Sequence, residues 1–143
     1  MQDSIFELCR DHYSLSKLEA YLNYQPSKIR FEKLMGDQII IVATQNVHGE
    51  PNKLVGFSRF DPAHALLESL CVLPQFSRQG IGRSLLRYIE DVARSLKLPE
   101  VSVHSSLNAI VFYQRCGYRQ QDLFYLQCND GKKIESVRFT KTF

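Results

Sequence analysis

Several things that would fix this chain's class at once are missing from it. The four cysteines, Cys9, Cys71, Cys116 and Cys128, show no CxxC or Cys/His ligand spacing, so no metal is expected. Three of them, Cys9, Cys71 and Cys116, lie beside apolar residues and read as reduced core thiols in a cytoplasmic protein. No apolar run approaches membrane length, and the start, "MQDSIFELCRD", is acidic as well as apolar, unlike a secretory leader. The charge excess is only +3, too small to argue for nucleic acid by itself and better suited to a local site for an anionic ligand. There is no repeat, low-complexity tract or linker; 143 residues make one domain, 1–143, able to bury a core without disulfides or a metal. The most informative absence is local. In "VLPQFSRQGIGRSLLRYIEDVARSL" (residues 72–96) the best helix of the chain opens on two glycines with no Asp or Glu in its first turn. A helix N-terminus carries partial positive charge, and the nearby side chains are Arg78, Arg83 and Arg87, so something negative from outside is expected there.

What is present is a pattern of alternating periodicities. Residues 3–35 carry apolar positions at helical spacing, broken near residues 23–26, and read as two helices, with "SIFELC" open to a strand reading instead. Three β-type runs follow, "DQIIIVAT", "KLVGFSRF" and "HALLESLCVL", separated by "NVHGEPN" and "DPA" as in an antiparallel meander. In the long helix Ile81, Leu85, Ile89, Val92 and Leu96 form one stripe, opposite Arg83, Arg87, Glu90 and Arg94. "EVSVHS" reads as a strand, and "SLNAIVFYQRCGY" as a short helix with Ser106 at its N-cap and Gly117 just past its end. Strands near "LFYLQC" and "SVRFTKT" flank the hairpin signal "NDGKK". The order ααβββαβαββ describes an α/β (α+β) domain with a mixed sheet.

Gly80 and Gly82 let the backbone turn tightly so that N–H groups face outward, and a phosphate can approach a backbone without Cβ atoms. The dinucleotide fingerprint fails because Leu85 stands where its third glycine belongs, and a P-loop fails because Gly82 is followed by Arg83. "VLPQFSRQGIGRSLL" instead resembles the coenzyme-A pyrophosphate loop of the GNAT superfamily of N-acetyltransferases, and "NAIVFYQRCGY" is similar to that family's second signature. The resemblance covers residues 38–118 in order and the termini only in outline. It departs at Ser77, where the family usually has Gln or Arg.

The resemblance implies a single GNAT-like domain with a mixed, mostly antiparallel sheet of about six to seven strands flanked by four helices. It implies that main-chain N–H groups of Arg78, Gln79, Gly80, Ile81, Gly82, Arg83 and Ser84 hold the pyrophosphate of acetyl-CoA. It implies further that Leu70, Cys71 and Val72 pair with the pantetheine arm as an added strand, with an N–H near Cys71 or Val72 polarising the thioester carbonyl. Asn108 would bond to the pantetheine, or else be an ordinary polar residue of a first helical turn. Tyr113 would protonate the departing thiolate, because a phenol with an unperturbed pKa of about 10 keeps its proton at neutral pH. Its bland alternative is a capped core aromatic, the role left to Tyr13, Tyr88 and Tyr125.

For the general base, strand alternation puts Leu66, Glu68, Leu70 and Val72 on one face, with Glu68 the one carboxylate there. His104 is its rival, and solvent a third choice. The function expected is acetyl transfer from acetyl-CoA to a primary amine in a ternary complex; the alternative is a non-catalytic acyl-CoA-binding module. The acceptor, a small-molecule or a protein amine, is not readable, although Asp11, His12, Tyr13, Tyr21, Tyr24 and Arg30 are candidates to line its side. No membrane partner is expected, and a homodimer is in keeping with the family.

Overall fold

The β-branched and aromatic runs pair into one sheet. In this computed structural model, which describes residues 13, 14, 16, 17, 37–47, 49–128 and 130–143, six strands lie in the order β1-β2-β3-β4-β6-β5. They are β1 (Ile39–Val47), β2 (Glu50–Asp61), β3 (Leu66–Val72), β4 (Glu100–Ser105), β5 (Arg119–Gln127) and β6 (Lys133–Thr142). Every neighbouring pair is antiparallel except β3 and β4, which are parallel and joined through the helix α1 (Ile81–Ser95). A shorter helix, α2 (Ile110–Arg115), follows a single 3-10 turn, Leu107–Ala109. The class is the mixed α and β architecture expected. The two helices expected over residues 3–35, and the strand reading of "SIFELC", lie outside the described residues apart from 13, 14, 16 and 17. No described helix is long and apolar enough to cross a membrane.

The core is a seam between α1, α2 and the sheet. Leu86, Ile89 and Ala93, spaced three and four apart along α1, meet Phe60, Leu67, Val101, Val103, Val137 and Phe139 from four strands, with Tyr113 and Tyr118 closing the cluster. The helix is rolled slightly from the stripe read in the sequence, so that Leu96 is half out in solvent and Ala93 takes the buried place.

That roll also corrects the polar face. Glu90 is not solvated: its side chain is only 7% exposed, and Lys141 Nζ of β6 donates to its Oε1 at 2.9 Å, with Arg94 at 3.6 Å. A carboxylate leaves water at a large desolvation cost unless a partner of opposite charge goes with it. Lys141, itself only partly buried, therefore closes the edge of this core as the partner of Glu90.

Two irregularities in β3 position everything that follows. Ser58 stands opposite Leu70 and Arg59 opposite Ser69, yet Phe60 stands opposite Leu67, so Glu68 is an extra residue on β3. This bulge brings Leu67 and Leu70 to the same side and overturns the simple alternation that grouped Glu68 with Leu70. The parallel ladder to β4 consists of Leu66↔Ser102 and Leu67↔Val103, after which the two strands part.

Replacing Lys141 by Met leaves the buried Glu90 carboxylate only the longer contact to Arg94, and is expected to lower the unfolding free energy by about 3 kcal/mol. Urea unfolding of the two proteins measures the difference.

Candidate active site

Where β3 and β4 diverge they open a cleft of about 500 Å³. One wall is β3 from its bulge onward, with Glu68, Ser69, Leu70, Cys71 and Val72; the other is the end of β4 with Val103, His104, Ser105 and Ser106. Phe112, Tyr113 and Cys116 of the α2 segment close one side, and the turn before α1 closes another, through Phe76, Ser77, Arg78, Gly80, Gly82 and Arg83. A strand that has lost its neighbour presents main-chain N–H and C=O groups along its edge, which is how an extended ligand arm is held.

The turn is built to leave N–H groups outward. Ser77 donates through both its N–H and its hydroxyl to the Pro74 carbonyl, at 3.0 and 2.7 Å, closing a 3-10 turn over Pro74–Phe76. Arg78 and Gly80 then both take positive φ, +62° and +83°. For Gly80 this is free of strain; for Arg78 it costs on the order of 1 kcal/mol and is the kind of backbone strain found at ligand sites. The Gly80 side of the helix has no side-chain cap and no acid in the first turn. The first helical amide already engaged is that of Ser84, donating to the Gly80 carbonyl at 3.0 Å. Ser84 therefore drops out of the expected set of main-chain donors. Gln79, Ile81 and Ser84 do not line the cleft, and the Gln79 side chain donates to the Gln75 carbonyl at 3.3 Å instead.

Gly82 is the more telling glycine. A Cβ there would meet Leu70 and Phe112 side-chain atoms at 3.5 and 3.6 Å, ordinary van der Waals contact. Alanine would thus fit and would favour the helix, so nothing within the described protein calls for glycine. The missing Cβ leaves the backbone open on the side of the cleft that Gly82 lines. Arg78, Arg83 and Arg115 line the same cleft and add charge of the sign a phosphate needs. Arg115 was missed in the sequence because nothing local says which way a residue at the end of a short helix faces.

Tyr113 sits in the middle of this arrangement. It is 5% exposed, packed by Phe112, Tyr118 and Phe139 at ring distances of 5.0 to 5.9 Å, and its hydroxyl makes no hydrogen bond among the described residues. Burial pushes the phenol well above its ordinary range, with the Cys71 and Cys116 thiols adding to the effect. Those thiols are not sealed core residues: both line the cleft, each with its acidity weakened by burial first of all, while Cys128 is buried elsewhere. The capped-aromatic role falls to Tyr13, whose hydroxyl donates to the Glu135 carbonyl at 2.7 Å and accepts from the Leu107 N–H at 2.9 Å. Tyr88 and Tyr125 are 63% and 59% exposed and fill no such role. Of the other residues proposed for the acceptor side, Asp11, His12, Tyr21, Tyr24 and Arg30 lie outside the described residues.

Asn108 lines the cleft, its Oδ1 accepting from the Ser106 hydroxyl at 2.6 Å. Ser106 occupies the N-cap position of the 3-10 turn, but its hydroxyl orients Asn108 rather than capping a main-chain N–H. Glu68 and His104 both line the cleft, and the Glu68 carboxylate acts on the charge of the imidazole. Glu68 is held by the Arg59 guanidinium at 2.6 Å. His104 packs on the Phe124 ring at 4.5 Å; burial, and then the charge of Arg138 opposite it on β6, hold its imidazole below the usual range, with Glu68 pulling the other way.

Gly82→Ala is expected to fold with unchanged or slightly raised thermal stability while weakening a diphosphate ligand about tenfold. Melting curves and a titration with a nucleoside diphosphate separate the two effects.

Comparison with known proteins supplies the family and the fold. The family described as "Acetyltransferase (GNAT) domain" matches residues 36–120. The uncharacterized protein YyaT of Bacillus subtilis (strain 168) is 29% identical over 77 residues, 54% of this chain and 49% of that protein, so the match spans about half the relative's length. Among solved structures, a protein described as a GCN5-related N-acetyltransferase, and as a class-II aminotransferase, from Rhodopseudomonas palustris superposes with a TM-score of 0.87. Its identity is 24%, over 99% of this chain and 84% of its own. The PaiA N-acetyltransferase of Thermoplasma acidophilum, in complex with coenzyme A, gives a TM-score of 0.73 at 16% identity, over 99% of this chain and 87% of its own. The family match takes in the glycine turn, the parted strands and Tyr113 together, and the chain belongs to the GNAT acetyltransferase family.

Proposed function

We propose that the protein transfers an acetyl group from acetyl-CoA to a primary amine, the two substrates being bound together. The observation that carries this reading is the unbonded Tyr113 hydroxyl in a cleft walled by a strand edge and by an acid-free helix start. The fit to the cosubstrate is tested by Gly82, where the protein leaves out a Cβ that it has room for. N–H groups of the turn, at Arg78, Gly80, Gly82 and Arg83, would hold the pyrophosphate, and Arg78 and Arg83 side chains would add charge-assisted bonds. Leu70, Cys71 and Val72 would pair with the pantetheine arm, and Asn108 would bond to it. Acetyl-CoA supplies an electrophilic thioester carbonyl joined to a sulfur that leaves as a thiolate.

Main-chain N–H groups near Cys71 or Val72 steady negative charge on the carbonyl oxygen. Tyr113 Oη holds its proton throughout the neutral range, all the more so for being buried, and gives it to the departing sulfur. An amine attacks only when neutral, so its ammonium must first lose a proton. Glu68 would have to part from Arg59 to take it. His104, kept neutral at pH 7 by its surroundings, is free to accept and is our choice of base.

Two outcomes are expected. Tyr113→Phe lowers the rate of thiol release from acetyl-CoA, measured over a panel of amines, by about a hundredfold with little change in acetyl-CoA affinity. Equal rates in the two proteins would remove Tyr113 from the chemistry, and tight acetyl-CoA binding with no turnover of any amine would favour an acyl-CoA-binding module instead. The pH profile supplies the second. A base whose pKa is lowered keeps its accepting form below the ordinary imidazole value, so kcat/KM should hold through neutrality and fall only below about pH 6.5. His104→Ala should abolish that acid limb; its survival in His104→Ala and loss in Glu68→Gln would transfer the role to Glu68.

A further inference from the structure

Helix α2 carries Tyr113 on only six residues, too few to hold themselves in water, so its placement depends on ties to the rest of the protein. Three bonds fix its C-terminus, two within its own cap and one from another element. The Tyr118 N–H donates to the Tyr113 carbonyl at 3.0 Å and the Gly117 N–H to the Gln114 carbonyl at 3.0 Å, a Schellman ending made possible by Gly117 at φ +85°. The third is Lys141: besides its bond to Glu90, its Nζ donates to the Cys116 carbonyl at 2.9 Å. The lysine stem passes over Gly117, whose absent Cβ would stand 3.7 Å from Cε, and the ammonium lies 5.5 Å from the Tyr118 ring, which in turn packs on Tyr113.

We propose that Lys141 is a positioning residue for Tyr113: one ammonium on β6 locks the end of α2 to Glu90 of α1, fixing the phenol relative to the helix whose first turn receives the anion. The proposal rests on the acetyl-transfer reading for its kinetic consequence, but not for its structural one. Lys141 touches neither the cleft's anion turn nor the Tyr113 hydroxyl, and it does not line the cleft. It acts at the far end of α2, through the carbonyl row that ends the helix. A cation there also opposes the negative end of the helix, adding electrostatic to hydrogen-bonded restraint.

The test compares wild type, Lys141→Met, Lys141→Arg and Glu90→Gln/Lys141→Met, each with and without Tyr113→Phe. Thiol release gives the kinetics, calorimetry gives acetyl-CoA affinity, and hydrogen exchange gives the protection of the Cys116 and Tyr118 amides. Lys141→Met is expected to lower kcat on the order of tenfold through misplacement of the phenol. It should leave the acetyl-CoA dissociation constant within about twofold and speed exchange at those two amides before any amide of α1. Lys141→Arg, which keeps donors for both acceptors, should recover most of the rate. Tyr113→Phe should cost much less on top of Lys141→Met than it does in wild type, because the two changes damage one function. Full additivity, or unchanged exchange at both amides, overturns the proposal. Should Lys141→Met fail to fold, the double variant, which leaves no lone buried charge, carries the same comparison. A wild type that acetylates nothing defeats the acetyl-transfer reading alone, since the exchange measurement still decides whether Lys141 holds α2.

Discussion

The structure depends on a parallel ladder that stops early. Parallel pairing between β3 and β4 lasts through Leu67↔Val103, and the bulge at Glu68 begins there. Continued pairing would have satisfied the edges of both strands and filled the sheet, leaving no cleft. The parting exposes a strand edge within the middle of the sheet, where the usual hazard of an open edge, pairing with a stranger, is limited by the walls on either side. The same event aims α1, because the chain leaves β3 beside the opening and its next helix must start there. Cleft and helix N-terminus are thus two consequences of one interruption.

The elements around that opening work by withholding groups as much as by supplying them. Gly82 withholds a methyl group, the first turn of α1 withholds a carboxylate, and Tyr113 withholds its hydroxyl from any protein acceptor among the described residues. Each omission forgoes some stability in the protein alone. Alanine, aspartate and a capped phenol are what folding by itself would favour at those places. Departures from local rules gathered around one cleft are what a ligand site shows, and they support the proposed acetyl-CoA site.

Much of this was legible in the sequence, and the limits have physical causes. The glycine turn, the hairpin at 128–132, Gly117 past the end of α2 and the alternation of β4 depend on neighbours a few residues away, and they lie where local chemistry puts them. The face occupied by Glu68 depends on one extra residue in a register set by β2, which no periodicity within β3 reveals. Glu90 looked like a solvent residue because its partner stands 51 positions later in the chain. Ser106 illustrates the intermediate case: its position was readable, but its hydroxyl donates to the Asn108 side chain and does not accept from a main-chain N–H.

Tyr13 gives the fold a last property. Its hydroxyl both receives from Leu107 and gives to Glu135, so one phenol knots the start of the chain to the turn that bears Asn108 and to the final strand, over separations of 94 and 122 residues. Removal of the leading peptide, by a protease or by a shortened gene, would therefore do more than trim an end. It would free an amide at the doorstep of the cleft and slacken the very loop that orients Asn108, so damage at the amino terminus would be felt some ninety residues downstream.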